Sequence, residues 1–228
     1  ATVAVAARFS SWPTAMLWKG FQALSVAALA LSVVALISGA YRLPWSGWAA
    51  ASVFSLCLAA LVQGLGTVIG SFSSRYLKGE AGQRRYIVML AAVLACVHLL
   101  LLADHWLLLI AAWAGVGLAL QHLLCFYPDR PFARLAALKK RIADRLADAL
   151  LLGAAALAWL EVGSGALSAL WLHIAQQGMG APLHASAVML VLAVVLRTAL
   201  LPVHGWLIQV MEAPTPVSAL LHAGVVNL

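Results

Sequence analysis

The 21 residues from 106 to 126 read WLLLIAAWAGVGLALQHLLCF and contain no aspartate, glutamate, lysine or arginine. An α-helix needs about 20 mostly apolar residues to cross the hydrocarbon core of a bilayer, and this stretch is long enough. It lacks the alternation of polar and apolar residues that marks the strands of a membrane β-barrel. Because a helix satisfies its backbone hydrogen bonds within one segment, the stretch predicts a transmembrane helix.

Further segments of the chain have the same apolar character. Together with Trp106–Phe126, the predicted spans are Ala15–Gly39, Trp48–Gly70, Tyr86–Ala103, Leu146–Val162 and His184–Val203, and a seventh begins near Pro214 and is still apolar at Leu228. We therefore predict an all-α fold, a polytopic bundle of about six to seven transmembrane helices that forms a single domain over residues 1–228.

The composition of the whole chain supports a membrane location. Apolar residues make up 64% of the 228 residues and charged residues only 9%, against about 25% charged in an ordinary soluble domain. The mean hydropathy is +1.00. Cys57, Cys96 and Cys125 lie in apolar runs without the spacing of a zinc site or a disulfide framework. The sequence thus argues against a soluble enzyme or a nucleic-acid-binding module, and it indicates no metal and no cofactor in this chain.

Basic residues cluster in two of the segments between spans, Ser73–Arg85 and Pro128–Arg145, whereas Gly163–Leu183 carries no Lys, Arg, Asp or Glu. Alternating the spans places both basic segments on one side of the membrane. Cytoplasmic loops carry the excess of Lys and Arg, so we predict that these two segments are cytoplasmic and that Gly163–Leu183 is periplasmic. The same charges could also form a docking surface for a partner.

Charged residues within predicted spans are the first candidates for a functional site, because such residues are costly in lipid and usually face a bundle interior. Arg197 lies in the sixth span. Arg141, Asp144, Arg145 and Asp148 follow the spacing i, i+3, i+4 and i+7, which predicts one charged helical stripe. We expect its outer members to form interfacial salt bridges and Asp148 to be buried. Arg197 is then predicted to pair with Asp148 or, failing that, with Glu212 on an ion pathway.

Prolines interrupt the last apolar region at Pro202, Pro214 and Pro216. A proline removes a backbone donor, and broken helices survive in membranes only where protein or a wet cavity surrounds them. In transporters such breaks contact ions near the middle of the bilayer. His204, Glu212 and His222 lie in or just after this interrupted segment, and both residue types can exchange protons. We therefore add these three residues, with Arg145, to the predicted ion pathway.

The segment from Trp206 to Ala223, WLIQVMEAPTPVSALLHA, resembles the proton-conducting, antiporter-like membrane subunits of respiratory complex I and of multi-subunit cation/proton antiporters. Ser74–Glu80, Leu102–Trp106 and Trp113–Leu118 resemble other parts of the same subunits. The resemblance extends over residues 70–228 and corresponds to the first half of the antiporter-like core. It implies a second, related half, and hence that these 228 residues are a partial chain.

Within that superfamily, Gln121–Pro131 (QHLLCFYPDRP), the pair Lys139-Lys140 and the segment from His204 to Asn227 resemble the DabB family of inorganic carbon transporter subunits. This resemblance implies a bacterial inner-membrane subunit in which flow of H+ or Na+ drives CO2 hydration. It also implies a partner, a DabA-like zinc-binding subunit similar to β-carbonic anhydrases, so this chain would be a transporter subunit and no enzyme itself.

Two positions depart from the pattern of complex I subunits, which carry a glutamate at the position of Ala114 and a buried lysine at the position of Arg197. Arginine stays charged and cannot load and release a proton as a lysine can. We therefore predict that Arg197 acts as a fixed cation. Two other functions remain open: a subunit of a cation/proton antiporter or a quinone-reducing proton pump, and a non-conducting membrane anchor.

Overall fold

A computed structural model describes residues 12–39, 41, 47–200 and 203–222. The helices of this part of the chain are α1 (Thr14–Ser38), α2 (Val53–Tyr76), α3 (Gln83–Leu101), α4 (Trp106–Leu124), α5 (Pro131–Val162), α6 (Leu167–Gln177), α7 (Ala181–Arg197), α8 (Gly205–Ile208), a 3-10 helix (Gln209–Glu212) and α9 (Thr215–Leu220). The described residues form no β-strand beyond two isolated bridges. The predicted all-α fold is confirmed.

Helices α1 to α4 are each long and apolar enough to cross a membrane. The bounds of α1, α3 and α4 lie within a few residues of the first, third and fourth predicted spans. Helix α2 is shifted toward the C-terminus and runs from Val53 to Tyr76 rather than from Trp48 to Gly70. Ser52 explains this start, because its hydroxyl accepts a hydrogen bond from the backbone N–H of Ser55 and the hydroxyl of Ser55 accepts one from the N–H of Ser52.

The predicted loop Pro128–Arg145 is wrong for most of its length, because α5 begins at Pro131 and continues without a break to Val162. At about 1.5 Å per residue, its 32 residues extend over about 48 Å. Proline suits the first position of a helix, which explains the start. The basic residues of its first half do not end the helix. A continuous stripe of buried residues runs along the opposite side of α5, and its packing stabilises the helix over its whole length. The buried residues of α5 are Ala133, Ala136, Ala137, Lys140, Ala143, Asp144, Ala147, Leu151, Ala154 and Ala158.

The predicted loop Gly163–Leu183 also contains a helix, α6, none of whose residues is buried. Gly163 ends α5 with a φ of 69° and Gly178 follows α6 with a φ of 81°. Both angles lie in the left-handed region that glycine adopts without a steric penalty. The chain can therefore fold this short helix between the ends of α5 and α7.

Helices α5 and α7 pack antiparallel along their length, and polar contacts set their register. The Glu161 carboxylate at the end of α5 accepts hydrogen bonds from the backbone N–H groups of Gly180 (2.7 Å) and Leu183 (3.1 Å) at the start of α7. One turn further, the Ser186 hydroxyl donates to the carbonyl of Ala154 (2.8 Å). This register places the last turn of α7 against the middle of α5.

Helix α7 ends at Arg197 and not at Val203 as predicted, and Ala199 adopts a left-handed φ of 53°. Pro214 precedes the first residue of α9 and Pro216 lies in its first turn, so these two prolines start a helix. The interruption itself lies at the 3-10 helix and at Ala213, which is extended. Pro202 lies outside the described residues.

Candidate functional site

Arg197 occupies the centre of a buried polar site where α4, α5 and α7 meet. Its side chain is 3% exposed. Its guanidinium Nη2 donates to Oδ1 of Asp148 on α5, and Nη1 lies 3.8 Å from Oδ1 of Asp144, one turn earlier. Nη1 also donates to the carbonyl of Trp113 on α4 (2.8 Å). One arginine thus links three helices, and Asp148 is the partner predicted for it.

A second buried ion pair joins Lys140 and Asp144, four residues apart on α5. The two side chains are only 5% and 10% exposed. The ammonium of Lys140 also lies 5.0 Å from the ring centre of Trp206 in α8, within the distance at which a cation is attracted to an aromatic face. The segment of α8 and the 3-10 helix, residues 205–212, which we call the broken segment, therefore contacts the site through Trp206.

Arg145 completes the site at its exposed end, where its Nη1 lies 3.7 Å from Oδ2 of Asp148. Lys140, Asp144, Arg197, Asp148 and Arg145 thus form a row of alternating positive and negative charges, which we call the charge row. Each carboxylate in the row lies between two cations, so a change at one member alters the electrostatic field at the next. Such an arrangement can pass a change of protonation from one end to the other.

Helix α4 approaches the charge row closely because it has small residues there. A β-carbon added at Gly117 would lie 2.7 Å from Oδ2 of Asp144. One turn away, Ala114 lines a cleft of about 10 Å³ together with both carboxylates of the row. A space of this size is about the smallest that can hold one water molecule. The short side chain of Ala114 therefore leaves a small space beside Asp148.

Comparison with known proteins places this site in a family. Residues 103–228 match the model of the transmembrane family of NADH:quinone oxidoreductases and Mrp antiporters. The chain belongs to this family. It is 40% identical over 217 residues to the probable inorganic carbon transporter subunit DabB of Hydrogenovibrio crunogenus, a match that covers 92% of the chain and 42% of that relative.

Other members show the breadth of this antiporter-like family. The chain is 41% identical over 221 residues to the probable inorganic carbon transporter subunit DabB2 of Halothiobacillus neapolitanus, which covers 92% of the chain and 40% of the relative. It is 34% identical over 169 residues to NADH-quinone oxidoreductase subunit L of Mycobacterium tuberculosis, which covers 74% of the chain and 26% of the relative. The chain thus spans about two fifths of the length of the DabB relatives.

Among solved structures, the Mrp complex from Dietzia sp. DQ12-45-1b superposes with a TM-score of 0.82 and 24% identity, over 98% of this chain and 25% of that one. This similarity shows the antiporter-like fold of the chain. With its apolar helices α1 to α4, the family member is a multi-pass membrane protein.

The residues predicted for the ion pathway do not all meet. Asp148, Arg197 and Arg145 lie together in the charge row. His204 is partly exposed, close in sequence to Trp206, and its buried Nδ1 has no hydrogen-bond partner among the described residues. His222 is exposed in the last described turn.

Glu212, the alternative partner of Arg197, lies elsewhere. Its carboxylate is 3.7 Å from Nη1 of Arg130, and the same Nη1 donates to the Glu212 carbonyl (3.0 Å). The guanidinium of Arg130 also lies 4.4 Å from the ring centre of Tyr127. The fallback pairing of Glu212 with Arg197 is therefore wrong, because the connection between α4 and α5 binds this glutamate instead.

Sequence reasoning missed two members of the charge row, Lys140 and Asp144. The expected single stripe divides in the structure: Asp144 and Asp148 point inward, whereas Arg141 and Arg145 are exposed. Asp144 is thus buried and not interfacial as predicted. The signal was the alanine repeat of α5, since positions 140 and 144 are in phase with Ala133, Ala137 and Ala147.

Among the described residues, no group of three or more His, Cys, Asp or Glu side chains could hold a metal ion. The ionisable groups that the site itself supplies include the carboxylates of Asp144 and Asp148 and the ammonium of Lys140.

Proposed function

We propose that this chain is the ion-translocating part of a membrane subunit of an energy-coupled inorganic carbon uptake complex in the bacterial inner membrane. In this proposal H+ flows through the subunit, and a peripheral, DabA-like zinc partner uses that flow to hydrate CO2 to bicarbonate. The names of two relatives at 40% and 41% identity support the carbon substrate. The charge row supports the ion pathway, and it is the observation that carries the proposal.

The energetics of the charge row favour a functional origin. Moving a charged side chain from water into a protein interior costs on the order of several kcal/mol. Pairing offsets this cost, yet apolar residues of similar volume often stabilise a protein as well as a buried ion pair does. Four nearly buried charges on two helices are therefore an expensive way to hold α5 against α7. Transport gives a reason for their presence.

The two buried cations have different chemistry. Lys140 can give up its proton, whereas Arg197 stays charged. When Lys140 is neutral, Asp144 loses one of its two cations and its attraction to Arg197 becomes the dominant one. The guanidinium of Arg197 is then attracted more strongly to Asp144, and its contact with Asp148 weakens. The Asp148 carboxylate can then bind a proton. Protonation at one end of the row is thereby coupled to protonation at the other.

The test is carbon-dependent growth of a bacterium that lacks carbonic anhydrase and expresses the full-length subunit with its partner. We expect growth in air only when both subunits are present, and we expect uptake of labelled inorganic carbon to stop when a protonophore is added. Uptake that persists after complete uncoupling would rule out energy coupling. Growth without the partner would rule out the division of labour.

The similarity to NADH-quinone oxidoreductase subunit L favours a second candidate, a subunit of a quinone-reducing proton pump or of a cation/proton antiporter. Gene neighbours discriminate between the two. A neighbouring gene for a zinc enzyme of the carbonic anhydrase type supports carbon uptake, whereas a set of genes for antiporter or quinone oxidoreductase subunits supports the second candidate. A non-conducting anchor, in contrast, would tolerate neutral substitutions throughout the charge row.

A further inference from the structure

A cationic cleft of about 470 Å³ opens at the end of the bundle where α3 and α5 begin and α4 ends. Four arginines line it, and none of its lining residues is acidic. They are Arg85 of α3 and Arg134, Arg141 and Arg145 of α5. His122, in the last turn of α4, adds a fifth group that can be positive. We call this space the arginine cleft.

Two of these arginines have no counter-ion within the part of the chain that the structure describes. Arg85 and Arg141 are exposed, and neither forms a hydrogen bond or an ion pair within the described part of the chain. Arg134 donates its Nε to the carbonyl of Pro128 and keeps its two Nη groups available. Like charges in one cleft repel each other, and guanidinium groups bind phosphate or carboxylate oxygens with two parallel hydrogen bonds. The arginine cleft is thus suited to an oxyanion.

The depth of the arginine cleft follows from the lengths of the helices. Helix α5 has 32 residues, more than the about 20 that cross the hydrocarbon core, so part of it extends beyond the core. Arg134 and Arg141 lie among its first 11 residues, at the basic end of the helix. Arg85 is in the first turn of α3 and His122 in the last turn of α4, at the same end of the bundle. The cleft therefore lies at the level of the lipid head groups.

Apolar side chains continue the arginine cleft toward the membrane. Leu118 of α4 and Leu138 of α5 line it and are 46% and 52% exposed. A small dissolved anion would leave these two leucines exposed to water. The acyl chains of a lipid whose phosphate occupies the cleft would cover them. Basic pockets between membrane helices are known to bind anionic head groups. We propose that the arginine cleft binds the phosphate head group of an anionic phospholipid.

The site adjoins the charge row without belonging to it. Arg145 lines the arginine cleft and also lies 3.7 Å from Asp148. Arg85 and Arg141 form no ion pair with either carboxylate of the row, although Arg141 also lines the small cleft beside them. The readout for substitutions at Arg85 and Arg141 is therefore lipid binding and not transport.

The experiment is a lipid titration of the purified full-length subunit, followed by native mass spectrometry. The probes are dioleoyl phosphatidylglycerol and, as the uncharged reference, dioleoyl phosphatidylcholine. We expect at least tenfold tighter binding of phosphatidylglycerol to the wild-type protein. The double variant Arg85→Gln/Arg141→Gln should lose this preference. The control Arg75→Gln/Lys78→Gln removes two exposed positive charges at the same end of the bundle but outside the cleft, and it should keep the preference.

Three results would overturn the proposal. Equal loss in both double variants would assign the preference to general surface charge. Displacement of phosphatidylglycerol by equimolar inorganic phosphate would identify the ligand as a dissolved oxyanion. Unchanged lipid binding in the Arg85→Gln/Arg141→Gln variant would assign the preference to another surface of the protein. Thermal melting of both double variants in the same detergent verifies that they are folded.

Discussion

Gly117→Ala tests whether the close approach of α4 holds the charge row in place. The added β-carbon would lie 2.7 Å from Oδ2 and 3.1 Å from Cγ of Asp144, and 3.5 Å from Nη1 of Arg197. Non-bonded heavy atoms attract best at about 3.5–4.0 Å, so the Asp144 carboxylate must move by about 0.8 Å or more. Lys140 and Arg197 hold it from two sides, so it cannot move without lengthening one of these contacts.

The expected magnitude has two opposing parts. Forcing an extra carbon into a packed site costs about 1–3 kcal/mol, and replacing glycine by alanine inside a helix returns about 0.8–1 kcal/mol. Gly64→Ala in α2 is the matched control, because a β-carbon at Gly64 meets no atom within 4 Å. We expect Gly64→Ala to stabilise the protein by up to about 1 kcal/mol. Gly117→Ala should be less stable than this control by about 1–3 kcal/mol, the steric part alone.

The measurement is unfolding of the purified subunit in mixed micelles by increasing amounts of sodium dodecyl sulfate, followed by tryptophan fluorescence. Carbon uptake per assembled complex is measured in parallel. We expect Gly117→Ala to unfold at a lower detergent fraction than Gly64→Ala and to take up less carbon. If the two variants unfold together and transport equally, the closeness of α4 to Asp144 has no energetic meaning and the described geometry of the charge row is refuted.

The remaining predictions concern the charges, the orientation and the partner. Arg197→Ala and Asp148→Asn should abolish uptake, since removing one member of a buried ion pair costs about 3–5 kcal/mol. Arg197→Lys should retain part of the uptake. Near-normal uptake in Arg197→Ala and Asp148→Asn would leave these charges a structural role only. Lys140→Gln should reduce uptake at least tenfold, because the proposed exchangeable proton is lost, and Lys139→Gln at the exposed neighbouring position should not; equal uptake in both would exclude Lys140 from the pathway. Single cysteines placed in Ser73–Arg85 and Pro128–Arg145 of a variant without the three native cysteines should escape an impermeant thiol reagent in spheroplasts, and one in Gly163–Leu183 should be labelled; the reverse pattern would invert the topology. The purified subunit alone should not accelerate CO2 hydration in a stopped-flow pH assay, because the zinc is proposed to lie in the partner; zinc-dependent hydration by this chain would contradict that.

Much of the fold could be predicted because lipid imposes a simple rule on sequence. Helices α1, α3 and α4 follow directly from runs of about 20 apolar residues. The rule fails for α5, where the basic residues of the first half indicate a loop by composition although the helix continues. Backbone hydrogen bonds of a helix do not depend on the polarity of its side chains, and the alanine repeat is the sequence signal that the helix continues through this half.

The site was predictable in part, for a related reason. An isolated charge in an apolar run, such as Arg197, is conspicuous, and Asp148 is the nearest opposite charge one helix away in the bundle. Lys140 and Asp144 were hidden among other charges, where burial cannot be inferred from composition. Which side of α5 faces α4 and α7 depends on Gly117, Ala193 and the capping of α7 by Glu161, and these are tertiary contacts.

The position of Lys140 bears on the role of Arg197. Arginine stays charged, so Arg197 offers no exchangeable proton at its place in the charge row. In this chain Lys140 lies on α5 and contacts the same carboxylate, Asp144, that faces Arg197. The fixed charge of Arg197 and the exchangeable charge of Lys140 therefore lie on separate helices, and both face the carboxylate of Asp144. In the proposed function, the proton enters or leaves at the Lys140 end beside Trp206 of the broken segment, and Arg197 transmits the change in field to Asp148. Under this arrangement Arg197→Lys introduces a second exchangeable site into the row, so a variant that still transports should do so with a different dependence on pH from the wild-type protein.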